Sequence, residues 1–529
     1  MSQPNQRRRR RSVGAALIAL TLITATGCAS SGEAAPGDSS LDVIFPILRP
    51  TLDVRDNAAQ TLGIQLLVNE PLFVYTPDGE FVPRLAESVE QPDPLTFVYT
   101  LRDVTFSDGT PLTADDVVYT FDLHRDPEST SVMARYWGAV ESVEATGENE
   151  VTVKLSASDP EWPYTVAKTG IVSASYYESN GGQAGTPGAP QIGTGPYVVD
   201  EFKASAEVDL VRNPSYWGEE APYESISFTA PKDDNSRLLA LQSGNYDALL
   251  LPPLSQVKAL SAVPGYVASE ITDTSTYRIN FDLTKPPFDE LAVRQAISHA
   301  VDRDAIIGAV FNDHAEPADA LVPPPILEVA GEPGPVAEAY DGFARDFDLD
   351  LDRAREYLAQ SSVADGFSFT VPVQQSDPAQ TLIAQIVAQS LAEIGVDMTL
   401  APLDDNTYIQ QVYFDKDIDG LSIDSWSAGS PEPAGMLFNA YTPGIFSNVS
   451  QLDSAAVAAG LAEYRELPVD SAERQPLLLD VLTEIHAERP TVPLLYPNLV
   501  FFTAEDTTVS GLNGFWWLSP LYEIIAPAS

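Results

Sequence analysis

The chain of 529 residues holds one cysteine and four histidines, and only 29 Lys and Arg against 76 Asp and Glu. A single cysteine leaves no disulfide within the chain. His124, His299, His314 and His486 share no metal-ligand spacing, so no metal is expected at a site. The formal charge of −47 sets up a field that repels phosphate, which excludes nucleic acid as a partner. Also missing are a Gly-x-Ser-x-Gly elbow, a phosphate loop and a His-Glu-x-x-His helix. The glycine-rich stretch 181–195 lacks dinucleotide spacing and reads as a loop. Acid pairs such as Asp115-Asp116 and Asp404-Asp405 are expected by abundance alone among so many carboxylates. The chain is therefore not read as an enzyme, and no cofactor is implied.

What is present begins at the amino terminus. A basic run, Arg7–Arg11, is followed by an apolar stretch, Val13–Thr26, and then Gly27-Cys28. This order is that of a secretory signal over residues 1–27; the apolar stretch, about 14 residues, falls short of the roughly 20 that span a bilayer. Ala25-Thr26-Gly27-Cys28 resembles the bacterial lipoprotein box, with Ala25 where leucine is usual. The resemblance implies that Cys28 carries lipid and begins the mature chain. Residues 28–40, rich in Gly, Ser, Ala and Pro, then form a flexible tether. Losing the first 27 residues removes five Arg and no acid, so the mature chain is more acidic still.

Length points to several domains, and the first half reads as short strands and turns. Leu41–Leu48 is a candidate first strand. Pro77-Asp78-Gly79-Glu80 is a turn between apolar segments. Thr113 and Asp116 form a capping box ahead of a helix with Val117, Val118 and Phe121 on its apolar face. Val151, Val153 and Leu155 alternate as a half-buried strand. Farther on, Phe367–Val373 reads as a strand, Asp377-Pro378 as a helix start, and Val396, Met398 and Leu400 as a second strand. This βαβ unit marks the region as α/β. Ser471–Glu488 is helical and Pro490 stops it.

Several motifs carry a resemblance: Asp78-Gly-Glu-Phe-Val-Pro-Arg-Leu-Ala-Glu-Ser88, Thr105-Phe-Ser-Asp-Gly-Thr-Pro-Leu-Thr-Ala-Asp-Asp-Val117, Gly193-Thr-Gly-Pro-Tyr197, Asn213-Pro-Ser-Tyr-Trp-Gly218, Leu241-Gln-Ser-Gly-Asn-Tyr-Asp247 and Val293-Arg-Gln-Ala-Ile-Ser-His-Ala-Val-Asp-Arg303. In this order they resemble the bacterial extracellular solute-binding family 5, the peptide, dipeptide and nickel receptors of ABC importers. The resemblance runs from about residue 41 to the end and weakens after about 400. It implies an α/β, two-lobed periplasmic-binding-protein-like fold (type II, the large three-domain variety) with a cleft between lobes. Lobe I would be 41–275, with an inserted subdomain at about 59–190, and 491–529 would return to it. Lobe II would be 276–490. The crossings would lie at about Tyr277–Asp282 and Thr491–Phe502.

Such a receptor buries its ligand between two walls. Ser422–Pro433, with its indole, carboxylates and small residues, is the candidate for one wall, with Trp426, Asp424, Gly429 and Glu432 as candidate contacts. Tyr136 and Trp137 are the candidates on the other side. In peptide-binding relatives the position three after this Trp is an Asp that receives the ligand's ammonium group. Here it is Gly429, which leaves the cargo open; Asp424 could replace the missing acid if the segment is extended, since it would then share a face with Trp426. The implied role is a monomeric lipoprotein outside the cytoplasmic membrane that passes a small molecule or peptide to ABC permease subunits. A non-peptide cargo (oligosaccharide, opine-like conjugate or metal chelate), a sensor or adhesin without a permease, and a secreted hydrolase are the rival readings.

Overall fold

The computed structural model describes residues 40–56, 59–329, 334–469 and 471–527; the signal, Cys28 and all of the tether up to residue 39 lie outside them. The organising element is the strand Thr491–Ala504. At about 3.3 Å per residue, its 14 residues reach roughly 45 Å, enough to run through two bodies. Its second half pairs antiparallel with Ala248–Leu250 and Tyr266–Thr272. Its first half pairs with Ser275–Phe281, and Ala315–Pro317 joins at Leu495–Pro497. The register shifts between Tyr277 and Arg278, opposite Leu495 and Pro493. An irregular ladder of this kind accommodates a proline, which has no N–H to donate.

Around this strand a ten-stranded sheet is built. Ser40–Ile44 pairs parallel with Ser225–Thr229 and Ala248–Leu250. Glu207–Arg212 and Tyr197–Lys203 extend that side antiparallel. At the opposite end, Ser275–Phe281 pairs with Leu421–Ser427. The result is an α/β, two-lobed fold.

A separate four-stranded antiparallel sheet is formed by Ala86–Asp93, Thr96–Leu101, Glu150–Leu155 and Val140–Gly147. The helix Ala114–Arg125 packs on it, and Thr113 N donates to Asp116 Oδ2 at 2.9 Å, closing one arm of the expected capping box. Val117, Phe121, Val151, Val153 and Trp162 share an apolar core there, distinct from that of the main sheet. Farther along the chain, Phe367–Gln374 and Val396–Leu403 pair parallel across the helix Pro378–Ala392. Asp377 Oδ1 caps that helix by accepting from Gln380 N at 2.9 Å.

Candidate binding cleft

A cavity of about 450 Å³ lies where residues 135–165 face the stretch 426–446. Its walls include Tyr136, Asp159 and Glu161 on one side, and Trp426, Gly429 and Phe438 on the other.

The strand Leu421–Ser427 supplies the Trp426 wall. Antiparallel register sets Asp424 opposite Arg278 and Trp426 opposite Thr276, and strand alternation turns Asp424 and Trp426 to one face. Trp426 is half-buried and lines the cavity. Beneath it sits the Arg278 guanidinium, 5.3 Å from the ring centroid. Asp424 accepts from Arg278 Nε at 2.7 Å and from Tyr413 Oη at 2.9 Å, and is 3% exposed. The expectation that Asp424 could take a ligand's cation is therefore corrected. Its charge is already spent on a buried arginine, and it acts on the cleft by holding that arginine under the indole.

Glu432 lines the cavity, with its carboxylate held by its own wall. It caps the helix Pro433–Tyr441 by accepting from Ala434 N at 3.1 Å, and its other oxygen takes Arg474 Nη2 at 2.6 Å. Pro433 at the first helical position suits this start, because its missing N–H would be unsatisfied there anyway. Glu432 contributes to the wall, but both oxygens are engaged.

Tyr136 and Trp137 part company. They end the short 3₁₀ turn Ala134–Trp137, where successive side chains point about a third of a turn apart. Tyr136 faces the cavity, with Lys168 Nζ 3.8 Å from its ring centroid and Arg135 Nη2 donating to its hydroxyl at 2.8 Å. Trp137 turns inward and is 2% exposed. It stacks on His124 at 5.5 Å and 11°, and meets Trp162 edge-on at 5.5 Å. Trp137 is core and not a cleft residue. Burial pushes His124 down to about 4, so it is neutral in this stack at ordinary pH.

Gly429 lines the cavity, and its carbonyl accepts from Lys168 Nζ at 2.8 Å. A Cβ at this position would lie 2.4 Å from Tyr136 Oη, so the ring fills the volume a side chain would use.

Several further residues at the walls carry no local signal in the sequence. Ser430 Oγ donates to Glu161 Oε1 at 2.5 Å. Gly435 leaves room for that carboxyl group, whose carbon would lie 2.5 Å from a Cβ there. Enclosure pushes the Glu161 carboxyl up, against the pull of Lys168, and the same enclosure pushes the Lys168 ammonium down. Arg465 reaches across from the helix Ala455–Glu466: its guanidinium stands 3.8 Å from Asp159 Oδ1 and 4.5 Å from the Phe438 ring centroid. Ser158 Oγ donates to the Arg465 carbonyl at 2.8 Å. Of the chain's 29 basic residues, Arg135, Lys168, Arg278, Arg465 and Arg474 all gather at or just behind these walls. The only local hint of this in the sequence is Arg278 in the otherwise uncharged run Tyr277–Phe281.

The cavity can therefore hold a small polar molecule between aromatic faces, with groups of both signs within reach. Among the described residues, no group of three or more His, Cys, Asp and Glu could hold a metal ion, and no helix is long and apolar enough to cross a membrane.

Residues 80–448 match the profile of the bacterial extracellular solute-binding proteins, family 5 Middle. The chain is 25% identical over 520 residues to the glutathione-binding protein GsiB of Salmonella paratyphi A, covering 93% of this chain and 95% of that one. Its fold is similar to that of the periplasmic binding protein AgaA of A. tumefaciens R10 in complex with agropinic acid (TM-score 0.74, 23% identity, 93% of this chain and 99% of that one). It is similar as well to DppA of Helicobacter pylori in complex with the peptide STSA (TM-score 0.72, 20% identity, 93% and 98%).

Proposed function

The chain belongs to family 5 of the bacterial extracellular solute-binding proteins, and from that premise we propose that it captures a peptide in the cavity between Tyr136 and Trp426 and delivers it to the transmembrane subunits of an ABC importer. The observation that carries this reading is the cavity itself. Its 450 Å³ falls within the roughly 300–1,000 Å³ of small-molecule sites, and aromatic faces with a few polar groups are the usual lining. Lobe I would comprise 41–275 and 491–529, with the insert at about 59–190, and lobe II 276–490. The two would hinge on Ser275–Phe281 and Thr491–Ala504, the paired strands they share.

Closure is favoured by contacts that exist only when the walls meet. Lys168 to the Gly429 carbonyl, Ser430 to Glu161, and Ser158 and Asp159 to Arg465 join the insert to the opposite wall. They would shut water out around a bound solute, and Trp426 and Tyr136 would supply its contact area. A peptide carries donors, acceptors and charges of both signs, which suits a cavity edged by Arg135 and Arg465 as well as Asp159 and Glu161. No catalytic step is assigned, and the protein would act as a monomer.

Cys28 would anchor the mature chain to the outer face of the membrane. Cys28→Ser would move the protein from the membrane to the soluble fraction; an unchanged distribution would rule the anchor out. The peptide reading is tested by thermal shift of the mature chain against a mixed peptide pool and an oligosaccharide pool. A shift with peptides is expected, and one with oligosaccharides alone overturns the reading.

A further inference from the structure

A second cavity, of about 570 Å³, lies against the first. Asp159, Pro160 and Arg465 line both, so the Asp159–Arg465 bridge is part of a common wall. Beyond it, Phe97 and Pro163 of the insert stand on one side, and Leu467 and Pro468 on the other. Gln91, Asp93 and Glu466 line it too, but its lining is richer in proline and apolar side chains than that of the first cavity.

The wall is made of long side-chain contacts. The two charged groups are 3.8 Å apart, Arg465 Nη2 donates to the Ser158 carbonyl at 3.4 Å, and the guanidinium faces the Phe438 ring at 4.5 Å. Arg465 sits in the last turn of the helix Ala455–Glu466, and Leu467 caps it, so the guanidinium can swing aside while the helix stays in place. Each cavity alone has the volume of an ordinary small-molecule site, and the two together reach the upper end of that range.

Resting on the reading of the first cavity as the solute site, we propose that the cleft binds in two chambers. The first holds the polar part of the cargo, and the second receives an apolar group carried by the same molecule, with Arg465 as the movable wall between them. The continuity of the two cavities through shared residues identifies the occupant as an extension of the cargo. A cargo confined to the first chamber leaves the bridge closed. A longer one displaces it and gains contact with Phe97, Leu467 and the prolines.

Leu467 is half-buried at a helix end, so Leu467→Trp fills the second chamber without entering the core. Pro94→Trp, from an exposed position on the opposite wall, repeats the test if the first variant does not fold. Cargo-free protein is titrated with the apolar probe 1-anilinonaphthalene-8-sulfonate and, separately, with trialanine and with a hexapeptide of three alanines followed by three leucines. The wild type is expected to bind the probe, and Leu467→Trp to bind it at least tenfold more weakly. The variant should keep its affinity for trialanine and lose at least tenfold for the hexapeptide. Equal probe affinity in both proteins, or equal loss of the two peptides, overturns the second chamber. If the wild type binds neither peptide while the probe behaves as expected, the peptide reading falls, and the second chamber stands only if the probe in one chamber changes the affinity of a non-peptide cargo in the other; independent binding overturns it.

Discussion

The hydroxyl of Tyr136 occupies the place that a side chain at Gly429 would need: a Cβ there would lie 2.4 Å from Tyr136 Oη. The same corner is closed from behind by Lys168, which donates to the Gly429 carbonyl and lies over the Tyr136 ring. The lack of a carboxylate at 429 is thus built into the whole corner, because the ring has taken its volume and a cation its backbone acceptor.

Gly429→Asp should therefore overpack the corner and destabilise the protein by about 1–3 kcal/mol. Combined with Tyr136→Ala, which vacates the space, the losses should be less than additive. Urea unfolding of the two single variants and the double variant measures this. A Gly429→Asp protein as stable as the wild type would contradict the close approach.

Arg278 and Asp424 are buried together at 1% and 3% side-chain exposure. Removing one partner leaves the other charge unpaired, so Arg278→Met is expected to cost about 3–5 kcal/mol. The double replacement Arg278→Met with Asp424→Leu should recover part of that loss. A single variant that unfolds at the wild-type urea concentration shows that the pair is not what holds the Trp426 strand.

Trp137 and Trp426 separate core from cleft. Trp137→Ala should cost about 3–5 kcal/mol of stability, as large-to-small changes of buried aromatics do. Trp426→Ala should cost less stability and lower cargo affinity by about tenfold or more, the usual weight of an aromatic contact at a binding site. Melting and equilibrium binding of both variants decide the matter, and the reverse pattern would restore Trp137 to the cleft.

His124 makes stability depend on pH. Its folded-state value, about 4, lies below its ordinary 6.5 because burial disfavours the charged ring. A depressed value means that the stability it supports is complete above about 6.5 and is lost as pH falls toward 4, where the unfolded chain binds the extra proton. Each tenfold difference in proton affinity between the folded and unfolded chain is worth about 1.4 kcal/mol, so the loss across this pH window approaches roughly 3 kcal/mol. His124→Gln should flatten this part of the pH profile, as read from urea midpoints between pH 4 and 7. An equally steep profile in the variant would assign the acid sensitivity to other groups.

Local chemistry is legible from the chain alone. The helix start at Asp377-Pro378, the two strands around that helix and the hairpin Phe73–Tyr75 with Phe81–Pro83 all rest on caps, turns and alternation within a few residues. Alternation also places Asp424 on the face of Trp426. It cannot reveal that Arg278, 146 residues away, occupies that carboxylate. Trp137 is misassigned from sequence because the 3₁₀ turn that rotates it away from Tyr136 leaves no periodic pattern. Glu161, Lys168 and Arg465 give no sign in the sequence because each gains a role only when distant segments meet.

The central claim, that the cavity walled by Tyr136 and Trp426 is where a peptide binds, is tested most directly by native mass spectrometry of the mature protein incubated with the mixed peptide pool. The predicted result is a one-to-one adduct with peptide mass on the wild type, greatly reduced on Trp426→Ala. A peptide adduct equally abundant on that variant, or a wild-type protein that takes up no peptide, would contradict it.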